Sequence, residues 1–341
     1  RARCGNETSM RKSPVSSTSS RAPGAVSPGS AMQLGVCGTG FLGSRHARKL
    51  AARGGLPLLL HDRDAEKARA LAGEISAAAV DSLDALRERC DAVIVATSTD
   101  AHAAVTLALL ESGCHVLVEK PIAGTLSDAD RMIVAAKQAG RVLMVGHVER
   151  FNPVFRGLAD RVRGTRFIEG HRLAEFKPRS LDVDVVLDLM IHDIDIVLSV
   201  VGEFPFRIDA AGTPVLTGRV DIANARLQFP GGAVANLTAS RVSLSRTRKI
   251  RFFMPEHYVS VDLGLARANC YSLRPGAETD FVSRIDHEAL SGAGSDALET
   301  EPDAFLKACA GEGPVVVPGE DGRAALAVAL SIANRLAGRP A

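Results

Sequence analysis

Gln33-Leu34-Gly35-Val36-Cys37-Gly38-Thr39-Gly40-Phe41-Leu42-Gly43 decides the fold of this chain. A short apolar run after Met32 leads straight into G-x-G-x-x-G, and a helical pattern through His46, Lys49 and Leu50 follows. In a strand-to-helix turn each glycine has its own role, in that Gly38 permits the tight turn, Gly40 lets the backbone approach a diphosphate, and Gly43 lets helix and strand pack closely. Thr39, Phe41 and Leu42 complete this expected cofactor-binding turn, and the helix N-terminus behind it offers partial positive charge to an anion. The next apolar run, Leu56 to Leu60, ends in His61-Asp62, which sets a carboxylate 19 residues beyond Gly43. That is the spacing of the acid that binds the adenosine ribose hydroxyls, so Asp62 favours NAD. Arg63 beside it suits a solvated position or the 2′-phosphate of NADP equally well.

Strand and helix patterns keep alternating downstream. Ala92 to Thr97, His115 to Glu119 and Arg141 to Gly146 read as buried strands, with helices at Ala101 to Ser112 and Asp128 to Ala139 between them. Such repetition predicts a doubly wound parallel Rossmann sheet over residues 32–150, with ligands bound beyond the carboxyl ends of its strands. Three segments fall there: Thr97-Ser98-Thr99 with His102, then Glu119-Lys120-Pro121, then His147 to Pro153. His147 by itself reads as no more than a strand-end residue.

With 341 residues the chain exceeds the size at which a single core stops growing, so two domains are expected. Its 46% apolar and 23% charged residues are those of a soluble globular protein, and no apolar run reaches the roughly 20 residues of a membrane span. The net charge is +2, but the first 31 residues hold Arg1, Arg3, Arg11, Lys12 and Arg21 against Glu7, which leaves the rest at −2. A body so close to neutral argues against a nucleic-acid surface. Residues 1–31, rich in Ser, Arg and Pro without apolar periodicity, are expected to be a disordered extension preceding a natural start at Met32. They lack the apolar core of a secretory signal, while their Arg/Ser-rich, acid-poor character weakly resembles an organellar transit peptide. Six scattered cysteines without a C-x-x-C pair suggest neither zinc nor disulfides, and a cytoplasmic location is expected.

Gly-Thr-Gly-Phe-Leu-Gly, Ala-Thr-Ser-Thr-Asp-Ala-His and Glu119-Lys120-Pro121, in that order, resemble the Gfo/Idh/MocA oxidoreductases from about Gln33 to the C-terminal helix. The resemblance implies a Rossmann domain followed by an α/β domain with an open, mainly antiparallel sheet over residues 151–341. It also implies that Lys120 touches both the nicotinamide ribose and the substrate, with Glu119 beside it in the cofactor site. Val145-Gly146-His147-Val148-Glu149-Arg150-Phe151-Asn152-Pro153 and Asp184 to Asp195 resemble more closely the branch that oxidises the 3-hydroxyl of UDP-N-acetylglucosamine, ahead of amination for lipid A. Another sugar or inositol dehydrogenase of the family is the alternative substrate reading.

Beyond Pro153 the pattern gives a short helix to about Val162, an extended stretch from Thr165 to Glu175, and a loop holding Lys177, Pro178 and Arg179. A helix from Val183 to Val201 then carries Asp188 and His192, which at a spacing of four share one face. They interrupt an otherwise apolar run, where ionisable groups are costly unless paired or functional. Asp221 to Phe229 and Ala233 to Val242 flank Pro230-Gly231-Gly232 as a hairpin, runs near Lys249 to Met254 and Tyr258 to Leu263 extend the sheet, and Gly322 to Leu336 closes the chain as a helix.

Oxidising an alcohol requires a group that takes the hydroxyl proton as hydride leaves carbon, and His192 titrates in the right range untuned. By resemblance Lys120, Asp188 and His192 form the catalytic trio, with the choice of base between Lys120 and His192 open. The substrate site is expected to draw on this trio and on Arg150, Asn152, Lys177 and Arg179, whose cations suit the diphosphate of a nucleotide-sugar. Metal ligation by Asp188, His192 and Asp195 is not expected, because no Cys or H-E-x-x-H accompanies them. A non-catalytic nucleotide-binding sensor is a second class, against which retention of the whole trio argues. A homodimer or homotetramer paired through the open sheet is expected by analogy.

Overall fold

A computed structural model describes residues 32–55, 57–177, 183–275, 282–292, 294 and 296–339. The expected disordered extension and Arg179 therefore lie outside the described residues.

Strands β1 (Leu34–Cys37), β2 (Leu58–His61), β3 (Ala78–Ala79), β4 (Ala92–Val95), β5 (His115–Glu119) and β6 (Leu143–Gly146) form a parallel sheet of order β3-β2-β1-β4-β5-β6. Every residue of β1, β4, β5 and β6 is buried, as strands covered by helices on both faces must be. The order of strands reverses between β1 and β4, so the turns that leave these two strands open a crevice at the switch point. The helices are α1 (Phe41–Ala52), α2 (Ala65–Ile75), α3 (Leu83–Arg89), α4 (Thr99–Glu111) and α5 (Leu126–Ala139). Local chemistry starts them: Asp64, Ser82 and Thr125 each accept a backbone N–H of the first turn of α2, α3 and α5 respectively.

After the short α6 (Pro153–Leu158) the chain builds an eight-stranded sheet from β7 (Phe167–Leu173), β8 (Arg207–Thr213), β9 (Ile222–Gln228), β10 (Val234–Ser240), β11 (Thr247–Met254), β12 (His257–Asp262), β13 (Arg267–Leu273) and β14 (Ile285–Ser291). Its order is β14-β13-β12-β11-β7-β10-β9-β8, parallel between β7 and β10 and antiparallel elsewhere. The β9–β10 hairpin pairs Gln228 with Val234 across the expected Pro-Gly-Gly turn. Alternate residues of β7, β9 and β10 are buried, so one face rests on α7 (Ile191–Val201) and α9 (Gly319–Leu336). The opposite face carries an aromatic row, Phe167, Phe253, Tyr258, Tyr271 and His287, in register across five strands.

The split expected at residue 150 assigns everything that follows to the second domain. Instead α8 (Ala297–Cys309) returns to the Rossmann domain: Phe305 and Val317 belong to the first core together with Phe151 and Leu326, while Ala325, Val328 and Ile332 of α9 enter the second. Ion pairs Lys49–Asp296, Lys49–Glu299 and Arg53–Asp303 fasten α8 to α1, although pairs this exposed add little beyond registry. The apolar contact dominates. Truncating Phe305, which is 1% exposed, to Ala is expected to cost about 3–5 kcal/mol by loss of burial and creation of a cavity. Denaturant melts of the variant against the parent measure it, and a loss under about 1 kcal/mol would show that α8 is not part of this core.

Candidate active site

The cofactor turn forms from the residues the sequence names. Gly38 has φ +92°, and a Cβ there would meet the Ala96 carbonyl oxygen at 2.6 Å. A Cβ on Gly43 would run into the Gly38 carbonyl, whereas one on Gly40 would meet nothing within 4 Å. Two glycines are thus required by packing, and the third leaves an open cradle for a diphosphate at the N-terminus of α1. Asp62, immediately after β2, reaches back across this turn: its Oδ2 accepts the Thr39 N–H at 2.6 Å and the Thr39 hydroxyl at 3.0 Å. Burial pushes its carboxyl up, but these bonds from Thr39 and one from the Asp64 N–H outweigh it and hold the group below its ordinary range. Phe41 is 56% exposed, with the Arg45 guanidinium over its ring. Leu42 is half-buried and Arg63 exposed.

Thr97 and Ser98 bridge β4 to α4, with Ser98 at the helix N-cap and Thr99 opening the helix. His102, one turn into α4, is 1% exposed; its Nδ1 lies 2.9 Å from the Pro121 carbonyl oxygen and its Nε2 3.2 Å from that of Thr97. It therefore ties the cofactor loop to the turn after β5, where the Lys120–Pro121 peptide is cis.

Lys120 leaves the end of β5 and crosses to the second domain. Its Nζ donates to the Asp188 carbonyl oxygen at 2.7 Å and lies 3.7 Å from Asp188 Oδ1. Residues Val186–Met190 form a π-helical turn in which the Ile191 N–H reaches back to the Val186 carbonyl, the kind of irregularity that concentrates at functional sites. The α-helix expected from Val183 therefore begins at Ile191, and Asp184 caps the entry by accepting the N–H groups of Val186 and Leu187.

His192 follows in the first turn of α7, and His147 approaches it edge-on from the end of β6, ring centroids 6.4 Å apart. His192 Nδ1 and both nitrogens of His147 are buried without hydrogen-bond partners in the described residues. Burial lowers His192 well below its ordinary value, and the charges of Lys120 and Arg172 lower it further, so its ring is neutral. Burial likewise takes His147 down to about 3, with help from Lys120 and Arg150. Lys120 is lowered by burial, against the opposing carboxylates of Asp188 and Glu119. The structure thus sets Asp188 against Lys120, puts His192 within electrostatic reach of the ammonium, and brings His147 edge-on to His192.

Other expected ligands are spent within the chain. Glu119 turns inward, its Oε1 2.8 Å from His46 Nε2. Arg150 pairs with Asp195 at 3.3 Å and Asp321 at 3.2 Å, which occupies the guanidinium expected for a substrate diphosphate. Asn152 caps α6 and donates to the Leu263 carbonyl at 3.0 Å. Lys177 is exposed at the edge of the described segment.

A charged cluster beneath α7 is not evident from the motifs. Arg172 on β7 binds both oxygens of Asp193, at 2.6 and 3.1 Å, and Glu149 Oε1 at 2.8 Å. Arg248, opposite Arg172 on β11, sits 3.6 Å from the same Glu149 oxygen and remains half-exposed toward the site. The cluster's one trace in the sequence is Arg172, which falls in phase with Ile168 and Gly170 on the buried side of an alternating strand, where a charge needs partners.

A deeply placed Lys, an Asp and neutral imidazoles beyond the carboxyl ends of a parallel sheet that carries a glycine cradle for a dinucleotide define a nicotinamide-dependent dehydrogenase. Comparison with known proteins gives the family. Residues 32–147 match the oxidoreductase family with NAD-binding Rossmann fold, and residues 131–257 the GFO/IDH/MocA C-terminal domain. The UDP-N-acetylglucosamine 3-dehydrogenase of Acidithiobacillus ferrooxidans is 39% identical over 88% of this chain and 96% of its own length. Its solved structure covers 89% of this chain and 97% of itself with a TM-score of 0.82 at 38% identity. The myo-inositol 2-dehydrogenase of Thermotoga maritima is 28% identical over 86% of this chain and 93% of its own. A levoglucosan dehydrogenase in complex with NADH shares the fold, with a TM-score of 0.80 at 20% identity over 91% of this chain and 98% of that one. The chain belongs to the Gfo/Idh/MocA oxidoreductases. It is a sugar oxidoreductase, a dehydrogenase acting on CH–OH groups. Among the described residues no helix is long and apolar enough to cross a membrane.

Asp195 gives this region a pH signature. Burial raises its carboxyl to about 7 even though Arg150 opposes the shift, so the folded state keeps a proton that the unfolded chain has released. That contribution to stability is full below about pH 4 and is lost as pH climbs toward 7. Asp195→Asn cannot ionise and escapes the loss. The difference in melting midpoint between variant and parent should therefore move in the variant's favour from about pH 4.5 to 7.5; a constant difference contradicts the assignment.

Proposed function

We propose that this chain oxidises the 3-hydroxyl of UDP-N-acetylglucosamine with NAD, giving a 3-keto sugar for later amination toward lipid A. One observation carries the reading: Lys120 bonds to Asp188 and acts electrostatically on His192, in a chain that resembles a UDP-N-acetylglucosamine 3-dehydrogenase over 96% of that enzyme's length. Bound NAD supplies the hydride acceptor. Gly40 leaves room for its diphosphate, and the anionic Asp62 beside Thr39 favours ribose hydroxyls over a 2′-phosphate.

One of Lys120 and His192 would take up the proton of the reacting hydroxyl while the other holds its oxygen, and Asp188 keeps Lys120 in place through carbonyl and carboxylate. His192, neutral at working pH, can accept a hydrogen bond from a sugar hydroxyl where a cation could not. Lys120→Met should lower kcat by about 10³-fold or more and His192→Ala by about 10²-fold, with NAD affinity kept within a few-fold. The assay is appearance of NADH with UDP-N-acetylglucosamine, other UDP-sugars, free sugars and inositols, with NAD and NADP in turn. Turnover of a free polyol in preference to every UDP-sugar would assign the chain to the inositol branch.

With Arg150 committed elsewhere, Arg248 and Lys177 are the described cations we assign to the substrate diphosphate. Arg248 already acts electrostatically on His192, and burial together with Arg172 disfavours its charge, so an anion there would be welcome. Arg248→Ala should raise KM for the UDP-sugar about tenfold and leave that for NAD unchanged; an unaltered KM removes Arg248 from the site. The expected homo-oligomer would pair through the aromatic face of the second sheet.

A further inference from the structure

A second charged cluster lies behind the first, on the far side of Glu119 from the catalytic pocket. His46 of α1, Glu119 at the end of β5 and Glu301 of α8 converge there with exposures of 0%, 6% and 0%. Each has a structural explanation in its own element: His46 shares the buried stripe of α1 with Ala47 and Leu50, and Glu301 lies on the inner face of α8 near Phe305. The polar atoms are nonetheless unbalanced. His46 Nε2 meets Glu119 Oε1 at 2.8 Å, but both oxygens of Glu301 and Nδ1 of His46 are buried with no hydrogen-bond partner in the described residues. Stranding a carboxyl group in this way is costly.

Two occupants can relieve it, a proton or a cation. A proton neutralises Glu301 but leaves its hydroxyl without an acceptor in range, so the desolvation cost remains. A cation engages all three side chains at once. One ligand atom from each lies within 4.8 Å of the other two, and the His46–Glu119 contact is 2.8 Å. These limits bracket the separation of about 3.3 Å between neighbouring ligands on a tetrahedral ion with bonds of about 2.0–2.1 Å. We propose that His46, Glu119 and Glu301 form a closed binding site for one divalent transition-metal ion. One imidazole nitrogen and two carboxylate oxygens suit zinc or manganese, whereas calcium asks for six or more oxygens. A water completes the coordination. Enclosed on every side and drawn from α1, β5 and α8, the ion is structural: it locks the returning helix to the Rossmann core one residue from Lys120.

Elemental analysis of tag-free protein purified without chelator should find about one equivalent of zinc or manganese per chain. After dialysis against chelator, added Zn²⁺ or Mn²⁺ should raise the melting midpoint saturably by several degrees. Glu301→Gln and His46→Gln should each abolish both effects. Absence of metal together with a midpoint indifferent to Zn²⁺ and Mn²⁺ overturns the proposal and leaves Glu301 as a neutral acid. An equal shift in Glu301→Gln overturns it as well, by placing the ion elsewhere. Should both variants fail to fold, the metal content and Zn²⁺ response of the parent decide.

Discussion

The bond from the Lys120 ammonium to the Asp188 carbonyl oxygen, 2.7 Å long, is the contact on which the site depends. It joins the end of a Rossmann strand to a π-helical turn of the other domain. An ammonium this deep needs compensation. It has the carbonyl dipole and the Asp188 carboxylate on one side and Glu119 on the other. The same burial keeps both nearby imidazoles neutral, so the site combines a donor with acceptors.

Around that bond the electrostatics are layered. Glu149 and Arg150 are consecutive residues of opposite charge, and each anchors a different element: Glu149 binds Arg172 of β7, and Arg150 binds Asp195 of α7 and Asp321 of α9. Asp193 closes the ring from α7 onto Arg172. Each arginine holds two carboxyl groups, so losing Arg172 would strand Glu149 and Asp193 among buried residues, where an unpaired charge is costly. The arrangement fixes α7 over the sheet in one position, and therefore fixes where His192 points.

The Rossmann half was legible because its signals are local. The glycine turn, the acid 19 residues later and the continuous apolar strands need no tertiary information. Asp188 and His192 also announced themselves, as ionisable groups in an apolar run. Less visible were α2, β3 and α3, where β3 is two residues long, and β8, β13 and β14, whose exposed residues weaken alternation. The π-helical turn leaves no mark on a pattern read with helical periodicity. Arg150 and Asn152 show what placement cannot read: near the expected mouth they suggest ligands, and only coordinates reveal bonds to neighbours 45 and 111 residues away. His147 and Arg248 gain meaning only from what stands opposite them.

The return of α8 shapes how the molecule can be made. Phe305, Val317 and Leu326 complete a core whose other buried members lie before residue 152, so a nascent chain with its first sheet formed still lacks the cover for one flank of α1. Contacts between α1 and α8 close a loop of some 250 residues, illustrated by Lys49 and Glu299, and such distant closure is slow. Until α8 leaves the ribosome and seals it, an apolar surface therefore waits open to water, an invitation to chaperones or to another unfinished copy.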